Sequence, residues 1–354
     1  MEPTILEIKA FFFNAKTDYL PYYKYFSIEL IENMNAKDLL LLIQKKNENF
    51  SYPEEKLVFK INDLVVTGDQ SINEVVERLG TSLQIDSVNS YRSSNGLIIN
   101  DDDFMKSYEL LAPFASEEDL KFYKTLYALH YASETEKFDH SYIGDAVLVL
   151  AHKLILDGSR HKKEILEAIT CPYSSLLACE YENNLFNAQD YTVAIEELKN
   201  MYKSSKEDSF LEKLAIGFQN EKESFFKKDE EESKVVEIEN RQIAYYAGLA
   251  NDNSNTINEK IMQSNSKVIN FSRANKLSGL SLLEDNKTLA YKKAAATLLD
   301  ALDMGAEVLI VEEQKLFDMF KNNLESIVKT IGRDIDMELI SAKDFITQTN
   351  LIAA

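Results

Sequence analysis

The chain has 354 residues, 45% of them hydrophobic and 28% charged, enough apolar material for the cores of two or three domains. Ten glycines and five prolines exclude collagen-like and low-complexity classes. The excess of 59 acidic over 39 basic residues gives a net charge of −20, which repels a phosphate backbone and argues against a nucleic acid partner.

No apolar run approaches the roughly 18 residues of a spanning helix, and no charged and apolar leader stands at Met1. The only cysteines, Cys171 and Cys179, are too few for a disulfide scaffold of this size. The expectation is a cytoplasmic, acidic protein with no signal peptide and no integral membrane segment.

Residues 1–100 read as strands around one helix. Alternation from Thr4 to Phe11 and from Tyr25 to Leu30 predicts two half-buried strands, and the turn residues Asn14 to Asp18 join them as a hairpin. Asn35 is the expected N-cap of a helix through Lys45, with Leu39, Leu40 and Ile43 inward. Leu57–Ile61 and Leu83–Val88 are two further strands. Two strands, a helix and more strands in this order describe a β-grasp domain.

From Ser116 the period becomes helical. Ser116-Glu117-Glu118-Asp119 predicts a capped helix start, with acids where the helix dipole favours them. Ile143–Leu156, closed by Asp157-Gly158, and Tyr191–Tyr202 are further helices, and a weaker pattern runs from Ser209 to Phe226. The all-charged stretch from Lys227 to Lys234 reads as a solvated linker. Beyond it the chain turns α/β. Gln242–Ala247, Lys267–Phe271, Glu307–Val311 and Glu338–Ile340 are expected strands, the third a buried parallel one. Asn286–Met304 and Leu316–Lys329 are expected helices, stopped at Gly305 and Gly332.

Familiar chemistry is mostly missing. There is no Gly-x-Gly-x-x-Gly, Walker loop or His-Glu-x-x-His, and Ser272, Ser278 and Ser281 lack a nucleophile-elbow context. His152 and His161 sit near a solvated helix end. His130 and His140 flank Glu134 and Glu136 without the spacing of a ligand set, so no metal site is expected there. Asp101-Asp102-Asp103 reads as the polar start of a helix, because three adjacent acids cannot all face one ion. Cys171 and Cys179 are not spaced as a redox Cys-x-x-Cys pair, and buried reduced thiols are the default.

A resemblance covers nearly the whole chain. The segments are Phe13 to Tyr22, Asn33 to Leu40, Lys60-Ile61-Asn62-Asp63, Leu126-Tyr127, Tyr142 to Ala146 on through Asp157 to Arg160, and Tyr191 to Lys199. Together they resemble the iron–sulfur subunit of succinate dehydrogenase and fumarate reductase. The C-terminal third resembles a heterodisulfide reductase B-like domain of the cysteine-rich type, and the fusion is similar to the iron–sulfur subunit of thiol:fumarate reductase. The resemblance implies an α+β multidomain fold. It has a β-grasp, [2Fe–2S] ferredoxin-like domain over 1–105 and an α-helical ferredoxin-like domain over 106–226. A charged linker over 227–240 then leads to an α/β domain over 241–354.

The family's cluster ligands are absent. Its Cys-x4-Cys-x2-Cys set and fourth Cys fall on Asn49, Glu54, Leu57 and Asp69, and its Cys-x2-Cys-x2-Cys-x3-Cys run falls on Leu129, Ala132, Thr135 and Asp139. In the last third, Leu249 stands at the first Cys, Leu277-Ser278-Gly279 at Cys-Cys-Gly, and Glu313 with Leu316 at Cys-x-x-Cys. The Gly is kept while each sulfur is gone. Leucine and alanine at these places are expected to fill the space that clusters occupied.

The sequence therefore points to a non-catalytic, cluster-free interaction or scaffold subunit without cofactor or metal. Its expected partner is a protein resembling the family's flavoprotein subunit or another redox-complex subunit. One alternative is a new small-ligand or enzymatic site at Glu312, Glu313 and Lys315, where an open α/β sheet presents ligands. Another is a residual redox role for Cys171 and Cys179, in a fumarate reductase-like or heterodisulfide reductase-like oxidoreductase.

Overall fold

In the computed structural model, residues 3–171, 174–214, 236–249 and 253–352 are described. The chain is a mixed α/β protein with an N-terminal mixed sheet, a helical middle and a C-terminal parallel sheet with helices. It divides into two compact units, residues 1–203 and 204–354.

The first unit opens with β1 (Ile5–Phe12) and β2 (Tyr22–Glu29), an antiparallel pair in which Leu6, Ile8 and Ala10 face the core. Helix α1 (Ala36–Lys46) follows, and Asn35 and Asp38 close a reciprocal capping box at its start. Next come β3 (Val58–Ile61), β4 (Leu64–Thr67), α2 (Ile72–Leu79) and β5 (Ser82–Asp86). The sheet order is β2-β1-β5-β3-β4, with β5 parallel to β1 and antiparallel to β3. Leu39, Leu40 and Ile43 of α1 pack with Phe50, Phe59 and Ile61 in the core of this layer. The short strands β6 (Ser93–Asn95) and β7 (Ile98–Ile99) pair with each other in a separate two-stranded sheet.

Six helices follow: α3 (Asp102–Glu109), α4 (Glu117–Thr125), α5 (Tyr127–Tyr131), α6 (Asp145–Leu156), α7 (Lys162–Ala168) and α8 (Thr192–Leu214). The expected cap at Ser116 is present as a capping box with Asp119. Helix α6 is buried nearly all round, so it forms the centre of this layer rather than a surface. The expected boundary at 105 and 106 lies inside the first unit. There the segment Asn184–Phe186 adds itself to β4, with Val65 N–H bonding Asn184 O and Phe186 N–H bonding Val65 O, both at 2.8 Å.

Helix α8 runs past its expected end at Tyr202. Residues 215–226 of the weaker helical pattern and 227–235 of the charged stretch lie outside the described residues. Ile238, placed in the linker by sequence, is buried in the core of the second unit.

That unit contains β8 (Gln242–Tyr246), α9 (Ser254–Gln263), β9 (Lys267–Ile269), α10 (Lys287–Asp303), β10 (Val308–Val311), α11 (Gln314–Ile331), β11 (Glu338–Ser341) and α12 (Ala342–Ile352). The sheet is parallel throughout, in the order β11-β10-β8-β9. Every residue of β10 is buried, as a strand covered on both faces requires. Ile243, Tyr245, Val308 and Ile310 pack toward Ile257 and Ile261 of α9 and Phe345 of α12. On the other face Tyr246 meets Phe320 of α11, and α10 packs on α11. No helix among the described residues is long and apolar enough to cross a membrane.

Candidate functional site

In the first unit, three of the four positions where the resemblance would place the second ligand run are occupied by packing groups, while the fourth, Asp139, accepts from Ser141. Leu129, Ala132 and Thr135 are buried, and Leu129 and Ala132 join the hydrophobic core. Apolar filling is only half the account, because a buried polar network lies beside them. Asp145, at 0% exposure, opens α6. Its Oδ1 accepts from Tyr142 Oη at 2.9 Å and Ser133 Oγ at 3.1 Å, and its Oδ2 accepts from Asn183 Nδ2 at 3.1 Å. Burial pushes the Asp145 carboxyl up, against the opposing pull of the bonds from Asn183, Tyr142 and Ser133.

Asp103 is the second centre. Tyr131 Oη donates to its Oδ1 at 2.8 Å, while His130 Nε2 and Arg92 Nη2 approach its Oδ2 at 3.4 and 3.3 Å. Burial opposes ionisation of Asp103, but the His130 and Tyr131 bonds and the Arg92 charge outweigh it and hold the carboxyl down. Gly144, at φ +89°, lies so close to the His130 ring that a Cβ there would sit 2.2 Å from Nδ1. Glu134, also at 0% exposure, pairs with Lys137 at 2.9 Å, and Glu136 accepts from Asn89 Nδ2 at 2.6 Å. Burial raises the Glu136 carboxyl and lowers the Lys60 ammonium. His140 is instead outside, stacked on Tyr91 at 4.8 Å between ring centroids. Among the described residues, no three His, Cys, Asp or Glu side chains are grouped to hold a metal ion. Here each acid is committed to neighbouring donors.

Cys179 is buried with its Sγ 3.9 Å from Asp145 Oδ1, whereas Cys171 is exposed; neither is in a disulfide. His152 pairs with Glu197 at 2.6 Å, and His161 with Glu164 at 3.6 Å. Asp101 pairs with Lys56 at 2.9 Å at the start of α3.

In the second unit, Glu312 stands just past β10. Its Oε2 accepts from Tyr245 Oη at 2.7 Å and its Oε1 from Asn253 Nδ2 at 2.6 Å, so it ties the end of β8 to the start of α9. Glu313 and Lys315 are exposed at the start of α11, and the structure does not bring them to the Glu312 cluster. Leu316 is buried as expected, Leu277 is half-buried, and Leu249 is 70% exposed. Leu249 therefore corrects the expectation that each leucine at these places fills a core. Gly279 is left-handed at φ +92°, and a Cβ there would lie 2.6 Å from Ala290 O. Sequence reasoning read Asp103 only as part of a polar helix start and missed Asp145, Tyr245 and Asn253. Only Asp145 left a signal, as an acid heading the apolar run of α6.

No family profile matches the chain, and none of the curated proteins matches it. Among solved structures, the crystal structure of a hypothetical protein from Helicobacter pylori is similar at 19% identity and a TM-score of 0.48. That match covers 96% of this chain and 70% of the other.

Proposed function

We propose that this chain is a cluster-free relative of the fumarate reductase and heterodisulfide reductase type of iron–sulfur subunit, acting as a non-catalytic interaction subunit. The sheet order β2-β1-β5-β3-β4, with α1 after the first hairpin, supports a β-grasp reading of residues 1–105. The short helices that follow suit a helical ferredoxin-like reading, and the parallel sheet suits the heterodisulfide reductase B-like one. A family-type cluster takes about four thiolates, and two cysteines cannot supply them.

The observation that carries an interaction role is the outer hairpin. β2 is an edge strand, and Tyr19, Leu20, Tyr22, Tyr23 and Tyr25 on and before it are exposed, Tyr19 by 96% and Tyr25 by 77%. Tyrosines give a large contact area at small entropy cost and are enriched where protein partners dock. The partner that fits the resemblance is a flavoprotein-type subunit of a redox complex.

The test is isolation of the tagged full chain from its native cell without oxygen. It should be colourless, lack stoichiometric iron and acid-labile sulfide, and bring a flavin-bearing protein with it. The double change Tyr19→Ser, Tyr25→Ser should weaken that association about tenfold while circular dichroism is unchanged. About two or more irons per chain, or isolation without a flavoprotein, refutes the reading.

A further inference from the structure

The second unit holds a cavity of about 290 Å³ at the carboxyl ends of β8 and β9, on the side covered by α9. Open parallel sheets present ligands at such strand ends, where loops rather than packed side chains shape the surface. Three carboxamides line it from two separate parts of the chain: Asn258 from α9, and Asn270 and Asn275 from the segment after β9. None of the three has a hydrogen-bond partner among the described residues. Each offers two donors and an acceptor oxygen. Ile269 and Phe271 supply an apolar floor, and Tyr245 closes one wall.

Among the described residues, no charged side chain lines the cavity. A phosphate or carboxylate entering it would lose hydration with no counter-charge to meet it. The volume stands at the lower edge of small-molecule sites, roughly 300–1,000 Å³, and admits one ring rather than a dinucleotide.

The walls are held in advance. Glu312 fixes the Tyr245 hydroxyl, and the N–H groups of Ala247 and Gly248 both donate to Ala274 O, at 3.0 and 3.1 Å. Asp300 accepts from Ser272 Oγ at 2.7 Å and from Arg273 N at 2.8 Å, pinning the segment between Asn270 and Asn275. Such bracing lowers the entropy cost of binding.

We propose that this cavity binds a small, planar, uncharged ligand with an amide-type edge, such as a nucleobase or a nicotinamide-like ring. Asn258, Asn270 and Asn275 pair its edge, while Ile269 and Phe271 take its apolar face. The site is separate from the outer hairpin of the first unit and does not depend on the interaction reading.

The test titrates the ¹⁵N-labelled full chain with nicotinamide and uracil, and with nicotinate and orotate as their carboxylated counterparts. At least one neutral ring should give saturable shifts at millimolar concentration, in resonances of Asn258, Asn270 and Asn275. Its carboxylated counterpart should bind about tenfold more weakly. Asn258→Leu and Asn275→Leu lie at half-buried and exposed positions, so the spectrum should stay dispersed while affinity falls about tenfold each. The proposal is overturned if neither neutral ring binds, if the carboxylates bind as well, or if both folded Asn variants keep full affinity.

Discussion

Asp145 shows what a fully buried acid costs. Three donors satisfy its oxygens, yet burial still raises its carboxyl above its ordinary value. An acid whose folded pKa is raised favours the protonated native state. Its penalty is absent below the unfolded value of about 3.9 and fully developed above the raised folded value. Asp145→Asn removes that titration, so the stability difference between variant and wild type should move in favour of the variant as pH rises from 4 to 8. Denaturant midpoints at several pH values read this, and a pH-independent difference would count against it. Asp145→Ala should cost on the order of 3 kcal/mol, because the Ser133 and Tyr142 hydroxyls lose the acceptor they share and Asn183 keeps only Leu129 O. Asp119 behaves in the opposite sense. Burial alone would raise it, but bonds from Lys153 and from the Ser116 backbone and hydroxyl bring its carboxyl to about 2. That stabilisation is present above about 3.9 and is lost as pH falls toward 2. Asp119→Asn should therefore be less stable than wild type at neutral pH and match it near pH 2.

Gly279 links sequence to packing across a loop and a helix. It adopts φ +92°, and an added Cβ would meet Ala290 O at 2.6 Å and Ala290 Cα at 2.8 Å. Backbone cannot swing aside as a flexible side chain does. Gly279→Ala should lose on the order of 3 kcal/mol by thermal or denaturant unfolding, and Gly158→Ala, which meets nothing within 4 Å, should lose only its conformational share. In the sequence this glycine stood out only through the resemblance; its left-handed backbone and close approach to Ala290 give a physical reason for glycine there. The capped starts at Asn35, Ser116 and Asn286 were legible because side chain and backbone interact within three residues, so local sequence decides. Helix α9 was not legible. Only Ile257 and Ile261 are buried on it, one turn apart, and two residues make no stripe. The polar network and the carboxamide cavity were hidden for a further reason. His130 meets Asp103 across 27 positions and Asn183 meets Asp145 across 38, and no local pattern marks such meetings.

At the scale of the whole molecule, the question is whether the two thiols do anything that packing does not. Cys179 is enclosed, and its Sγ is 3.9 Å from an oxygen that already has two hydroxyl donors, so its own bond adds little. Cys171 is exposed and separated from that network, with its N–H bonded to Glu167 O at 2.9 Å. One buried thiol and one exposed thiol have different access to any partner, which weighs against a shared ligand role. The double change Cys171→Ala, Cys179→Ala should cost about 1 kcal/mol, nearly all of it from the small cavity at Cys179. Ser133, Tyr142 and Asn183 remain to hold Asp145, so the polar network should survive, as the pH dependence of stability would report. If the chain serves by its surfaces, the folded double variant keeps the flavoprotein association proposed for the wild type, at equal stoichiometry. Loss of that association, with unfolding still cooperative and the network intact, would place the thiols in the function and move the residual redox reading ahead of the scaffold one.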